Sequence, residues 1–124
     1  MKIAIASDHA GFCQKPAMVE YLKGLGHEVI DFGPQSADRV DYPDFADKVA
    51  GVRAAVIQSP LFAHLFREHN DGNVVCMSGR FTPFDVNKAI VDEFLTTEFG
   101  GGRHAGRVQK IMREDDPDFG GVEC

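Results

Sequence analysis

The sequence predicts an α/β protein built around a parallel sheet. Short apolar runs rich in β-branched residues alternate along the chain with stretches of helical spacing, and each run ends at a turn signal that contains glycine, serine or aspartate. Strands that alternate with helices are joined by crossovers, which make neighbouring strands parallel and place helices on both faces of the sheet. We therefore expect a three-layer α/β/α sandwich with a Rossmann-like sheet.

The first half of the chain predicts a strand, a helix, a strand and a short helix, in that order. Lys2–Ala6 is largely apolar and leads into the polar turn Ser7–Gly11, which marks the carboxyl end of the first strand. The next helix either starts late or is kinked, because Pro16 is tolerated without distortion only in a first turn. His27–Phe32 alternates between polar and apolar residues as a strand does, and Tyr42–Val49 is the short helix.

The second half repeats the alternation twice. Val52–Ile57 and Val74–Met77 are the third and fourth apolar runs. Ser59–Pro60 combines an N-cap residue with proline at the first helical position, so it opens a helix between these two strands. Thr82–Pro83 repeats the signal for the next helix, which the three glycines Gly100–Gly102 end.

A single domain accounts for the length of 124 residues, with the alternating pattern in residues 1–113 and a polar, acidic tail in residues 114–124. The composition, 44% hydrophobic and 26% charged, is that of a folded globular protein. A net charge of -6 disfavours a general nucleic-acid binder. The apolar runs are too short for a membrane span or a signal peptide, so we expect a cytoplasmic protein without membrane contact.

The cysteines and histidines predict neither a disulfide framework nor a metal site. The three cysteines, Cys13, Cys76 and Cys124, show no CxxC spacing, and the histidines lack ligand spacing with acids or cysteines. Cys76 lies between two apolar residues in a predicted strand and is expected to be a small buried hydrophobe. We expect no metal and no other cofactor.

Short motifs run along nearly the whole chain, up to about Ile111. They are Ser7-Asp8-His9-Ala10-Gly11, Gly26–Gly33, Val40-Asp41-Tyr42-Pro43-Asp44, Gly51–Ala55, Arg67-Glu68-His69-Asn70-Asp71, Asn73–Cys76, and Thr97–Phe99 with Gly101–His104. In this order they resemble the ribose-5-phosphate isomerase B family, which also contains allose- and galactose-6-phosphate isomerases. Each motif alone is a weak signal, and their shared order makes the resemblance specific.

The resemblance implies a cofactor-free isomerase that converts an aldose phosphate to a ketose phosphate. Ribose 5-phosphate to ribulose 5-phosphate, in the pentose phosphate pathway, is the first expectation. The family also implies a homodimer or tetramer whose active sites are shared between subunits.

The sequence departs from the family between Ala50 and Gly51. At this point the family normally carries another helix turn, a strand and a Cys-Gly-Thr-Gly-type loop, which supplies the base for proton transfer and the amides of an anion hole. The sequence predicts one strand fewer than the family and leaves the base unassigned. A sugar-phosphate binding or regulatory protein without the base, and an assembly module for a full-length relative, therefore stay open as alternatives.

Two histidines are candidate site residues at different ends of predicted strands. Asp8 and His9 follow the first strand at its carboxyl end, where ligands bind in parallel sheets, although Asp8 could simply cap the next helix. His69 and Asn70 follow a helix and precede a strand, so a neighbouring subunit is needed to bring them to His9. The resemblance implies that His69 opens the sugar ring; the alternative is an exposed histidine at a helix C-terminus.

Three arginines are candidates for phosphate binding. Arg103 and Arg107 are four residues apart, and a helix would place them on one face. The resemblance implies that they hold the substrate phosphate together with Arg80, whereas a solvated basic face is the alternative. Tyr42 lines the pocket or anchors the core before Pro43.

Overall fold

A computed structural model describes residues 1–33 and 52–114, in which short parallel strands alternate with helices. This arrangement confirms the predicted α/β, Rossmann-like class, and every predicted strand and helix in these ranges is present. The predicted helix over 42–49, with Tyr42, lies outside the described residues, as does the tail beyond residue 114. The elements are β1 Lys2–Ile5, α1 Lys15–Gly24, β2 Glu28–Asp31, β3 Ala54–Val56, α2 Pro60–Asn70, β4 Val74–Cys76, α3 Phe84–Thr96 and α4 Arg103–Glu114.

The strands pair in two parallel ladders, each in its own compact unit. Unit 1, whose described residues are 1–33 and 78–88, contains β1 beside β2, with Lys2 opposite Glu28. Unit 2, whose described residues are 52–77 and 89–114, contains β3 beside β4, with Ala54 opposite Val74. The predicted single domain over residues 1–113 stays a prediction.

In unit 1, α1 packs its apolar side chains while its first turn carries a buried charge. Met18 and Leu22 are buried, as their helical spacing requires. Lys15 is only 5% exposed, and its Nζ lies 3.0 Å from Asp31 Oδ1 at the end of β2. The helix begins at Lys15, so Pro16 falls in the first turn as predicted.

In unit 2, α2 is defined at both ends by local chemistry. Ser59 caps the helix, because its Oγ accepts a hydrogen bond from the Phe62 N–H at 3.4 Å. Asp71 ends the helix in the left-handed region with φ 47°. The buried apolar side chains of unit 2 are Ile57, Ala63, Ile90, Val91 and Val108.

The prediction that Cys76 is buried was wrong. Cys76 is exposed, because β4 alternates between exposed and half-buried residues and only Val75 points towards the covered side. Only one face of β4 is covered, and the sequence pattern alone does not show which face that is.

Candidate active site

The β1–α1 loop carries the first pair of predicted site residues. Asp8 Oδ1 accepts a hydrogen bond from the Gly11 N–H at 2.8 Å, so this carboxylate fixes the turn that leads into α1. Asp8 thus holds the helix-entry turn, but it does not cap α1 itself, whose N-cap residue is Gln14 without a side-chain cap bond. His9 lies exposed on the same loop. Holding the loop is compatible with binding substrate, since a carboxylate accepts several hydrogen bonds.

A second loop of unit 1 approaches the β1–α1 loop so closely that one position must be glycine. A Cβ on Gly79 would lie 2.4 Å from Gly11 Cα and 2.9 Å from the Ala10 carbonyl oxygen, which are backbone atoms and cannot step aside. The next residue is Arg80, which is exposed. The close approach therefore brings the Arg80 loop beside the loop of Asp8 and His9.

Two amide side chains hold these loops together. Gln14 Nε2 donates hydrogen bonds to the carbonyl oxygens of Gly79 at 3.1 Å and Thr82 at 3.0 Å. Asn87, which is only 3% exposed, donates from Nδ2 to Gln14 Oε1 at 2.8 Å and to the Ser78 carbonyl at 2.9 Å. Sequence reasoning missed both residues; the one available signal was a polar asparagine between the apolar positions of α3.

In unit 2, His69 and Asn70 lie in the last turn of α2, beside the start of α4. The Gly100 N–H donates to the Glu68 carbonyl at 2.9 Å and joins the segment before α4 to the end of α2. The His69 and His104 rings are stacked, with their centroids 4.4 Å apart and their planes 17° from parallel. His104 was not among the predicted site residues, although it stands next to Arg103.

A charge cluster immediately after Asn70 fixes the end of α2. Arg53 and Arg67 both bind the Asp71 carboxylate, at 3.1 Å and 2.9 Å. Arg53 Nε also donates to the Asp71 carbonyl oxygen at 2.7 Å. Two guanidiniums on one carboxylate hold the left-handed turn in a single geometry, and so they position the neighbouring His69 and Asn70.

The start of α4 concentrates positive charge near the two stacked rings. Arg103 and Arg107 are exposed and four residues apart in this helix, so they share a face as predicted. The pKa of His104 is lowered, first by its partial burial and then by the charges of His69, Arg103 and Arg107, while Glu68 acts in the opposite direction.

The structure divides the predicted site residues between the two units. Unit 1 holds Asp8, His9 and Arg80, and unit 2 holds His69, Asn70, Arg103 and Arg107. Tyr42 lies outside the described residues.

In the described part of the chain no group of three or more His, Cys, Asp or Glu side chains is arranged to hold a metal ion. Within the same residues, none of the helices has the length and apolar character needed to cross a membrane.

Known proteins resemble the chain over most of its length. The family model described as Ribose/Galactose Isomerase matches residues 3–50 and residues 45–111. The probable ribose-5-phosphate isomerase B of Mycoplasma genitalium is 38% identical over 142 aligned residues, which cover 90% of this chain and 93% of that protein.

Two solved structures are similar to this chain in fold as well as in sequence. The ribose-5-phosphate isomerase B of Clostridium thermocellum is 39% identical, with a TM-score of 0.87 over 93% of this chain and 97% of that chain. The Mycoplasma genitalium enzyme, solved with bound ribulose 5-phosphate, is 37% identical, with a TM-score of 0.86 over 92% of this chain and 95% of that chain.

Proposed function

The chain belongs to the ribose/galactose isomerase family, and from that membership we propose that it interconverts ribose 5-phosphate and ribulose 5-phosphate. The family match over residues 3–50 and 45–111 is the observation that carries the proposal. It is an isomerase without a cofactor, formed by a single domain over residues 1–113. The cytoplasm is its proposed compartment, because an odd number of three cysteines does not suit the disulfide framework of a secreted protein.

Arg103, Arg107 and Arg80 bind the substrate phosphate. A dianionic phosphate accepts charge-assisted hydrogen bonds from guanidinium groups, and these bonds are stronger than neutral ones. The exposed pair on one face of α4 supports this role for Arg103 and Arg107. The loop contacts made by Gln14 support it for Arg80, because they bring that arginine beside the loop of Asp8 and His9.

His69 opens the sugar ring. In this step the O1 hydroxyl loses its proton, the C1–O4 bond breaks to leave a C1 aldehyde, and O4 gains a proton. An imidazole both accepts and donates protons near neutral pH, so His69 takes the proton from O1 and returns one to O4. Asn70, Asp8, His9 and Tyr42 bind the hydroxyl groups of the opened chain.

Isomerisation then needs a base that moves a proton from C2 to C1 through an enediolate. We propose that the chain lacks a segment that its relatives carry after residue 50, together with the base of that segment. Two observations support this. The family model matches in two pieces that share residues 45–50, and the alignment with the Mycoplasma genitalium protein is longer than the chain itself. Another group therefore moves the proton, and the exposed thiol of Cys76 is the first to test.

The active site is shared between subunits of a homodimer or tetramer. Asp8 and His9 follow the carboxyl end of β1, whereas His69 and Asn70 precede the amino end of β4. Site residues in parallel α/β proteins gather at the carboxyl ends of the strands. A neighbouring subunit is the simplest way to bring His69 to that end.

The experiment that tests the function is conversion of ribose 5-phosphate to ribulose 5-phosphate by the purified chain, with its intact mass measured on the same sample. Turnover at the mass of these 124 residues supports the proposal, and its loss in Cys76→Ser but not in Cys13→Ser would identify the base. If the chain binds ribose 5-phosphate without turnover, it is a sugar-phosphate binding protein. If it neither binds nor converts the sugar, the proposed function is wrong.

A further inference from the structure

The stacked pair of His69 and His104 is joined by elements that leave little freedom to either ring. His69 lies in the last turn of α2 and His104 in the first turn of α4. The hydrogen bond from Gly100 N–H to the Glu68 carbonyl links the two segments one residue before His69. The α2 and α4 helices also pack against each other in unit 2. The ring contact is therefore supported by backbone and packing contacts between α2 and α4.

The backbone conformation before His104 determines where its ring lies relative to α2. Gly101 and Gly102 adopt φ values of 63° and 56°, a left-handed conformation that residues with a Cβ rarely adopt. The His104 N–H then donates to the Gly101 carbonyl at 3.0 Å and closes the first turn of α4. Two consecutive left-handed residues turn the chain sharply. The helix then begins at Arg103, and His104 in its first turn lies over the His69 ring.

We propose that His104 is a positioning residue for His69: its imidazole stacks on the His69 ring and fixes the plane of that ring. This inference rests on the proposed role of His69 in ring opening. His104 does not need to touch the substrate for this role. Its contribution is that His69 meets O1 and O4 of the sugar in one orientation, which general acid–base catalysis requires.

Four titratable or charged side chains act on the His104 ring. His69, Arg103 and Arg107 disfavour a proton on His104, and Glu68 favours one. The lowered pKa keeps the stacked His104 ring uncharged over a wider range of pH.

An experiment without turnover tests the stacking directly. The imidazole proton signals of His69 are compared by NMR in the unmodified protein, in His104→Ala and in His104→Phe. Gln109→Ala, an exposed position on the same helix, is the control. Because a stacked ring shifts protons above it upfield, we expect the His69 signal to move downfield in His104→Ala only. An unchanged His69 signal in His104→Ala overturns the proposal, whether or not the protein is an isomerase.

A kinetic experiment tests the consequence for the reaction. We expect His104→Ala to lower kcat about tenfold while KM for ribose 5-phosphate changes less than about twofold, because orientation is lost and phosphate binding is kept. His104→Phe keeps an aromatic ring over His69, so it restores kcat to within about threefold. It also changes the acidic side of the pH–rate profile, since phenylalanine does not titrate. Equal losses of kcat in both variants, with an unchanged pH–rate profile, contradict the positioning role and indicate a purely structural one.

Discussion

Among single residues, Lys15 and Asp31 form the most buried ion pair in the described part of the chain. The Lys15 side chain is 4% exposed and the Asp31 side chain 30% exposed. Partial burial raises the pKa of Asp31, but the hydrogen bond from the Gly33 N–H and the bond and charge of Lys15 outweigh it, so the pKa is lowered overall. Taking a carboxylate away from a buried ammonium is costly, which makes Asp31 a residue on which unit 1 depends.

The substitution Asp31→Asn should therefore destabilise the protein in a pH-dependent way. A carboxylate whose pKa is lowered by folding stabilises the protein above its unfolded pKa of 3.8, and this stabilisation is lost as the pH falls through the folded value. We expect a loss of about 1–2 kcal/mol at pH 7 that shrinks towards about pH 3, measured by urea unfolding. Glu28→Gln, exposed on the same strand, is the control and should change little. An equal loss at both pH values contradicts the ion-pair argument.

The proposed phosphate site depends on two further residues, Arg103 and Arg107. Replacing both by alanine removes two charge-assisted contacts, so we expect the affinity for ribose 5-phosphate to fall at least about tenfold. Isothermal titration measures this affinity without requiring turnover. Lys23→Ala removes an exposed positive charge from α1 and should leave the affinity unchanged. Unchanged affinity in the double arginine variant would mean that phosphate does not bind at α4.

Among the elements, the loops that carry the site residues are held by contacts between distant parts of the chain. Gln14 in front of α1 and Asn87 in α3 hold the Arg80 loop through four hydrogen bonds, all between 2.8 and 3.1 Å. Buried amide groups stabilise a fold when their partners are present and destabilise it when one is removed. The position of the Arg80 loop is therefore set by the contacts that Gln14 and Asn87 make with it and with each other.

A substitution at Gly79 tests the close approach between the Arg80 loop and the β1–α1 loop. Gly79→Ala forces a Cβ against backbone atoms of Ala10 and Gly11, so we expect unfolding to become easier by about 1–3 kcal/mol and binding of ribose 5-phosphate to weaken. Gly24→Ala is the matched control, because no atom lies within 4 Å of its added Cβ. It should stabilise the protein by about 0.5 kcal/mol, since alanine favours the helix. Chemical unfolding and titration calorimetry measure both effects, and equal behaviour of the two variants contradicts the close-approach argument.

For the whole molecule, the proposed sharing of the site between subunits predicts complementation. His9→Ala and His69→Ala each disable one side of every site, so each variant alone should be inactive. After unfolding and refolding together, half of the dimers contain one intact site, and we expect about a quarter of the unmodified activity to return. Refolding each variant separately before mixing is the control and should restore nothing. No recovery after joint refolding would place His9 and His69 of one site in the same subunit.

Much of the fold was predictable because it depends on neighbours in the sequence. The serine at position 59 caps α2 as predicted, and α1 starts late enough to place Pro16 in its first turn. The three glycines before Arg103 lie between α3 and α4, although α3 already ends at Thr96. Each of these is an interaction of a residue with backbone a few positions away, where residue type decides the outcome. The predicted pairing of Arg103 and Arg107 on one face belongs to the same class, since helical spacing alone produces it.

The sequence by itself determined the order of strands and helices in the described ranges, and the family, because those follow from local side-chain chemistry and from the order of the motifs. The tertiary structure alone decided which distant residues meet. The stack of His69 on His104, the clamp of Arg53 and Arg67 on Asp71, the approach of Gly79 to Gly11 and the exposure of Cys76 are examples. These depend on how far-apart segments pack, and packing is set by the whole set of contacts rather than by any stretch of sequence.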